Sequence, residues 1–173
     1  MSLDIHWCPK LLGLIKLKAL MIKINVINNN LKWFFFIKNP NSYIDRKVKK
    51  LNLKNKNFKK NIIFFSLLLS GNQEIKKLNK KFRKKNKPTD ILSFPFDKKI
   101  DLDKNLYLGD IVISYEFINV PILITSLEFK KKLVKTFIHG FLHLLNYDHI
   151  KLKDYKKMNK EELKVYNLLS KKI

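Results

Sequence analysis

Three histidines near the carboxyl end of the chain have the residue type and spacing of a metal site. His139 and His143 are four residues apart, which places both imidazole rings on one face of a helix. His149 follows Asn146, a residue that tolerates the left-handed conformation in which many helices end. A chain that turns back at Asn146 can bring the third imidazole to the first two. Three imidazoles leave a fourth position open for water, as at a catalytic zinc.

The residue after His139 argues against one common use of such a site. Metzincin proteases have the same spacing in H-E-x-x-H-x-x-G-x-x-H, where the glutamate is the general base. Gly140 stands at the glutamate position in this chain. A metalloprotease is therefore a minor alternative, and the group that assists the reaction must lie elsewhere.

The charge balance indicates an anionic partner. The 173 residues have a formal net charge of +23, and a field of that sign attracts phosphate backbones. General enrichment in lysine on solvated faces would give the same total, so charge supports nucleic-acid binding without proving it. The two arginines are Arg46 and Arg83. Because a guanidinium binds phosphate through two parallel hydrogen bonds, we take Arg83 as the candidate phosphate ligand and Arg46 as a solvated residue.

Composition restricts the class of protein further. Apolar residues make up 46% of the chain, enough for the core of one domain of this length. The single cysteine, Cys8, excludes an internal disulfide and fits a reducing cytoplasm. The apolar segment 11–22 is interrupted by Lys16 and Lys18, and it is too short and too charged to span a membrane. We predict a cytoplasmic protein with no membrane partner.

Residues 1–20 differ from the rest of the chain. Residues 21–27 begin with Met21 and alternate apolar and polar side chains, as a half-buried strand does. Either Met21 is the true start or residues 1–20 form a dispensable extension. The domain is then predicted to span residues 21–173.

The next elements are predicted from an apolar run and the polar residues after it. Residues 62–69 are apolar over the length of a strand, which indicates a central strand covered on both faces. Ser70 and Gln73 have the spacing of a capping box, so a helix should begin there. The residues that this helix should turn inward are Ile75, Leu78 and Phe82.

The sequence also predicts the strands and the helix that hold the histidines. Residues 91–94 and 109–114 are predicted strands, and Pro95 indicates that the first of them lies at a sheet edge or ends there. Thr125 and Glu128 form a second capping box. The helix that they open, residues 127–145, is apolar on nearly all sides in its second half, as a central buried helix is.

Three segments resemble the YbeY-type endoribonucleases, bacterial metal-dependent RNases. The family signature H-G-x-L-H-L-x-G-Y-D-H stands at residues 139–149, with Asn146 in place of the second glycine. The family's arginine and P-T-D-V-L-S-F-P block match Arg83 and residues 88–95. Its G-D-I-V-I-S block is unchanged at residues 109–114.

The resemblance implies a fold and an activity. The fold is a single α/β (α+β) domain with a small mixed sheet packed around a central metal-bearing helix. One zinc-like ion, Zn²⁺, is implied on His139, His143 and His149, and Arg83 and His139 are implied as catalytic. The implied activity is cleavage of single-stranded RNA in rRNA maturation, at the 3′ end of 16S rRNA, and in ribosome quality control.

The expected mechanism follows from these groups. The metal activates water for attack on the phosphodiester, and Arg83 holds the scissile phosphate and its developing charge. Asp110 and Asp148 also match the family blocks, and we expect them to form turns or to orient a histidine ring. The alternative from another class is a ribosome-assembly factor that binds rRNA without cleaving it and uses its metal only for structure.

Overall fold

The computed structural model describes residues 21–52, 62–97 and 106–170. The prediction for residues 1–20 lies outside these ranges. Within them the chain forms the strands β1 (Met21–Asn28), β2 (Ile62–Ser70), β3 (Ile91–Pro95) and β4 (Leu106–Ser114). It also forms the helices α1 (Pro40–Asn52), α2 (Asn72–Arg83), α3 (Tyr115–Ile118), α4 (Ser126–Leu144) and α5 (Leu152–Ser170), and a 3₁₀ turn at Leu31–Phe35.

The four strands form one mixed sheet in the order β1-β2-β4-β3. β1, β2 and β4 are parallel, and β3 pairs antiparallel with β4 at the edge, where Pro95 ends it as predicted. The predicted α/β fold with a small mixed sheet is confirmed. None of the helices in the described part of the chain has the length and apolarity needed to cross a bilayer.

The two faces of β2 are covered unequally. Its odd-numbered residues from Ile63 to Leu69 are fully buried, and the rings of Phe137 and Phe141 of α4 lie 6.1 and 5.1 Å from the ring of Phe65. On the other face Phe64 is 44% exposed. The central position predicted for β2 is confirmed, but the prediction that both faces are covered is wrong at Phe64.

Helices α2 and α4 lie on opposite faces of the sheet. Ile75 of α2 packs on Leu92, whereas Ile91 and Ser93 of the same strand face Gly140 of α4. Neighbouring residues of a strand point to opposite faces, so β3 is covered by α2 on one side and by α4 on the other. α4 is the central helix, and α5 packs beside it.

One of the two predicted capping boxes is present. The Thr125 hydroxyl accepts from the Glu128 N–H at 3.2 Å, and the Glu128 carboxylate accepts from the Thr125 N–H at 3.0 Å. The box predicted at Ser70 is wrong, because β2 continues through Ser70 and α2 begins at Asn72. The Asn72 N–H donates to Glu116 at 2.8 Å, so a carboxylate distant in sequence supplies the acceptor.

Gly140 permits close contact between α4 and the sheet. A Cβ atom on this residue would overlap Ile91 Cδ1 and would lie 3.0 Å from Ser93 Oγ. The Ser93 hydroxyl donates to the Gly140 carbonyl at 3.3 Å. Position 140 therefore faces the sheet, and a side chain there would force Ile91, Ser93 and Ile111 to shift.

We expect Gly140→Ala to destabilise the protein by about 1–3 kcal/mol, because the added methyl group overlaps β3. Helix propensity alone predicts the opposite sign, a gain of about 1 kcal/mol. Urea unfolding measures the difference. Lys131 on the exposed side of α4 provides the control, since Lys131→Ala should be more stable than Lys131→Gly. A Gly140→Ala protein more stable than wild type would contradict the packing at this position.

Candidate metal centre

The end of α4 turns the chain back toward the helix. Asn146 has a φ of 61°, the left-handed conformation predicted for it. The Tyr147 N–H donates to the Leu142 carbonyl at 3.0 Å, and the Asn146 N–H donates to the His143 carbonyl at 2.9 Å. These bonds satisfy carbonyl groups that the helix end would otherwise leave unpaired. The reversal directs residues 147–149 back along the last turn of the helix.

The reversal brings the three predicted histidines together. The ring of His139 lies 4.6 Å from that of His143 and 5.2 Å from that of His149, and the last two are 5.0 Å apart. One ring nitrogen of each residue lies within 4.8 Å of the others. The first two rings are half-buried and His149 is exposed. The predicted convergence of these side chains is confirmed.

The outer nitrogen of two rings is already bonded. His139 Nδ1 lies 2.7 Å from Glu162 Oε1, and His143 Nδ1 lies 3.0 Å from the Tyr147 carbonyl oxygen. A carbonyl oxygen and a carboxylate oxygen can only accept, so each Nδ1 donates its proton. In the neutral ring this leaves Nε2 with a bare lone pair, the form that binds a metal.

The two facing Nε2 atoms are close enough to bind the same metal ion. His139 Nε2 and His143 Nε2 are 3.1 Å apart, and neither carries a proton in the tautomers that the Nδ1 bonds impose. Two nitrogens on one tetrahedral zinc with bonds of about 2.0–2.1 Å would be about 3.3 Å apart. The donor set therefore fits a single metal ion that His149 completes as third ligand.

Burial favours the neutral form of His143. Desolvation lowers the pKa of this imidazole below its usual value, and the neighbouring His139 lowers it further. Because a metal binds the neutral ring, a lower pKa reduces competition from protons.

Glu162 is the residue of this site that the sequence did not reveal. It lies on α5 and accepts from the outer nitrogen of His139. The helix is rich in lysine and glutamate, and nothing in its pattern separates Glu162 from Glu161, which pairs with Lys164. Glu162, and not Glu161, meets His139 because of the way α5 packs beside α4.

In the described part of the chain, no hydrogen bond joins Arg83, Asp110 or Asp148 to one of the three imidazole rings. Arg83 is the exposed last residue of α2, on the opposite face of β3 from the helix that bears His139. Within the described ranges its guanidinium makes no hydrogen bond or ion pair. Asp110 is exposed on β4 and accepts from the Tyr107 hydroxyl at 2.5 Å. Asp148 accepts from the backbone N–H of His149 at 2.7 Å, which supports the turn.

The left-handed turn gives a first prediction for this site. We expect Asn146→Val to lose most of its bound metal, because a β-branched residue is strongly disfavoured at positive φ and His149 would be displaced. Asn146→Gly should retain full metal content. Elemental analysis of the purified proteins measures both, and a fully loaded Asn146→Val protein would show that the turn does not position the third ligand.

The Glu162 contact gives a second prediction. We expect Glu162→Ala to weaken zinc affinity by about 10–100-fold, because the His139 ring loses the acceptor that fixes its orientation. Competition with a chromophoric chelator measures the affinity. Glu74→Ala is the control, since Glu74 is a glutamate of α2 that pairs with Lys77. Equal affinity in Glu162→Ala and wild type would exclude a positioning role.

Comparisons with known proteins agree with this site. The sequence profile described as Endoribonuclease YbeY matches residues 29–170. A Pelagibacter ubique protein named Endoribonuclease YbeY is 55% identical over 153 residues, which are 88% of this chain and 99% of that protein. One of the same name from Ehrlichia canis is 36% identical over 149 residues, 86% and 93% of the two chains.

A solved structure shows the same fold. The solution structure of a Thermotoga maritima protein is similar with a TM-score of 0.50 and 27% identity, covering 86% of this chain and 89% of that one. The match of the profile includes α4, its turn and the three histidines. The chain therefore belongs to the YbeY family of endoribonucleases.

Proposed function

We propose that this protein is a metal-dependent, single-strand-specific endoribonuclease of rRNA maturation, acting at the 3′ end of 16S rRNA and in ribosome quality control. The observation that carries the proposal is the pair of bare Nε2 atoms 3.1 Å apart beside a third imidazole, in a chain of an endoribonuclease family. Its partners are rRNA and ribosomal particles, and its location is the cytoplasm. Residues 21–173 form the active domain, and residues 1–20 are dispensable.

His139, His143 and His149 would hold the metal, and we propose zinc. A zinc ion so bound supplies a water of pKa near 7, which is a nucleophile at neutral pH. Glu162 and the Tyr147 carbonyl fix the tautomers of the first two rings through their Nδ1 protons. His149 is exposed, so this side of the site is open to a substrate as large as RNA. His139 acts at the reacting centre as a ligand.

Arg83 is proposed to bind the scissile phosphate. It is exposed, and no described residue neutralises it, so its two parallel donors are available to an anion. β3 is the edge strand, with α2 on one face and the histidine helix on the other. To hold the scissile phosphate at the metal, the Arg83 side chain would have to reach over this edge to the face that carries the histidines. Asp148 then supports the backbone of the turn, Asp110 holds the Tyr107 hydroxyl, and neither reacts.

The competing hypothesis is an rRNA-binding assembly factor with a structural metal. Structural zinc sites usually have four protein ligands, which leave no position for water. Among the described residues the cluster has three members, all histidines. Three ligands and an exposed third ring favour the catalytic alternative. A peptidase is disfavoured because position 140, where metzincins have their base, faces the sheet.

Digestion of an unstructured RNA by the purified protein tests the proposal. We expect the wild type to cleave, and we expect chelator or His143→Ala to abolish cleavage. Arg83→Ala should lower kcat by about 10²–10³-fold, the usual effect of removing one donor to a developing oxyanion. Arg83→Lys should restore only part of the rate, because an ammonium lacks the second parallel donor.

Arg46 of α1 provides the matched control, and Arg46→Ala should cleave within about twofold of wild type. Cleavage by His143→Ala at the wild-type rate would contradict the metal mechanism. If every protein bound rRNA and none cleaved it, the assembly factor would be the better description.

A further inference from the structure

Two neighbouring groups of aromatic rings, five rings in all, lie on the face of the sheet that carries α2. Phe64 lies 5.0 Å from Tyr107, and Tyr107 lies 5.6 Å from Phe96. Phe94, two residues before Phe96 on the same face, lies 5.0 Å from Phe82 at the end of α2. We call this surface the aromatic stripe, and it consists of Phe64, Tyr107, Phe96, Phe94 and Phe82.

The register of the strands explains why these rings share a face. Phe64 is paired with Tyr107, and Phe94 is paired with Asp110. The register shifts between Phe64 and Ser66, opposite Gly109, whose φ of 127° only glycine adopts readily. This irregularity keeps Tyr107 and Asp110 on one face, where Ser66, the Tyr107 hydroxyl and Asp110 form a hydrogen-bonded row.

The helix on this side of the sheet, α2, covers part of Phe94 and leaves three of the five rings exposed. Ile75 and Leu78 of α2 cover Leu92 and Val112, toward the carboxyl end of β4. Beyond that cover, Phe96 is 73% exposed, Phe82 is 56% exposed and Phe64 is 44% exposed. The inward position predicted for Phe82 is therefore wrong. Aromatic rings usually dominate the cores of proteins, so several neighbouring exposed rings indicate a binding surface.

The charges at the ends of the stripe are suited to a polyanion. Lys81 Nζ lies 5.2 Å from the centre of the Phe82 ring, and Arg83 is the next residue. At the other end Lys23 of β1 pairs with Phe64 and is exposed. The acidic Asp110 is engaged by the Tyr107 hydroxyl. Aromatic rings flanked by cations are the usual construction of surfaces that bind single-stranded nucleic acid.

We propose that the aromatic stripe binds single-stranded RNA by stacking its bases on the exposed rings. RNA as the ligand rests on the proposed function. A duplex presents its base pairs edge-on and cannot stack on these rings, so the stripe selects unpaired RNA. Phe82 precedes Arg83 directly, so a strand held on the stripe has its next phosphates beside the proposed phosphate ligand. The stripe would thus extend the RNA-binding surface from Arg83 along the face of the sheet opposite the histidines.

RNA binding by the full chain in the presence of chelator tests the stripe without cleavage. The probe is a fluorescent uridine 20-mer, and anisotropy gives the Kd. We expect Phe64→Ala and Phe96→Ala each to raise the Kd at least about fivefold, the effect of losing one base–ring stack. Phe96→Tyr should bind like wild type, and Phe96→Leu should bind like Phe96→Ala.

Phe35 provides the matched control, because it is 77% exposed and lies in the 3₁₀ turn after β1. Phe35→Ala should leave the Kd within twofold of wild type. Circular dichroism of each variant should match that of wild type, which shows that a change in Kd does not come from unfolding. Photocrosslinking with 5-iodouridine RNA should label Phe64, Phe96 or Tyr107.

Other occupants of this face would give different results. An unchanged Kd in Phe64→Ala and Phe96→Ala overturns the proposal, whether the stripe is covered by another segment of the chain or by a second copy. Sedimentation would identify the second copy through a dimer that the same variants lose. Loss of binding in these variants without any wild-type cleavage would support the stripe and contradict the nuclease. Cleavage by the wild type, together with an unchanged Kd in these variants, would support the nuclease and contradict the stripe.

Discussion

Close packing of α4 against the sheet at Gly140 is the constraint on which the rest of the site depends. The helix can approach β3 because position 140 has no side chain, and this contact fixes which face of the helix turns away from the sheet. His139 and His143 lie beside that contact, on the flank of the helix next to Gly140. Their Nε2 atoms are then held 3.1 Å apart, which is close to the separation of two nitrogens bound to one zinc ion. Backbone packing thus determines the ligand geometry.

Much of this arrangement follows from local sequence. Histidines at i and i+4, an asparagine at the helix end and a Thr–Glu capping box each act within a turn or two of the chain. The convergence of the three rings, the left-handed Asn146 and the box at Thr125 were therefore predictable. The fold class was predicted from the family signature, because proteins that share such a signature also share their packing.

The parts that could not be predicted depend on contacts between distant segments. Glu162 resembles its neighbours in sequence and is selected only because α5 packs beside α4. Ser70 does not open α2, because Glu116 supplies the acceptor for Asn72. Phe82 was expected in the core, yet α2 ends beyond the part of the sheet that it covers. In each case the outcome depends on how one element of the fold packs against another.

At the edge strand β3, the histidines lie on one face of the sheet and Arg83 lies on the other. The central claim of the proposed function is that one metal ion on three histidines is required for RNA cleavage. Titration of metal-free protein with zinc, with cleavage followed at each step, tests it most directly. The rate should rise linearly and reach its maximum at one equivalent, in parallel with zinc bound. Full cleavage by the metal-free protein, or zinc bound to one equivalent without any cleavage, would contradict it.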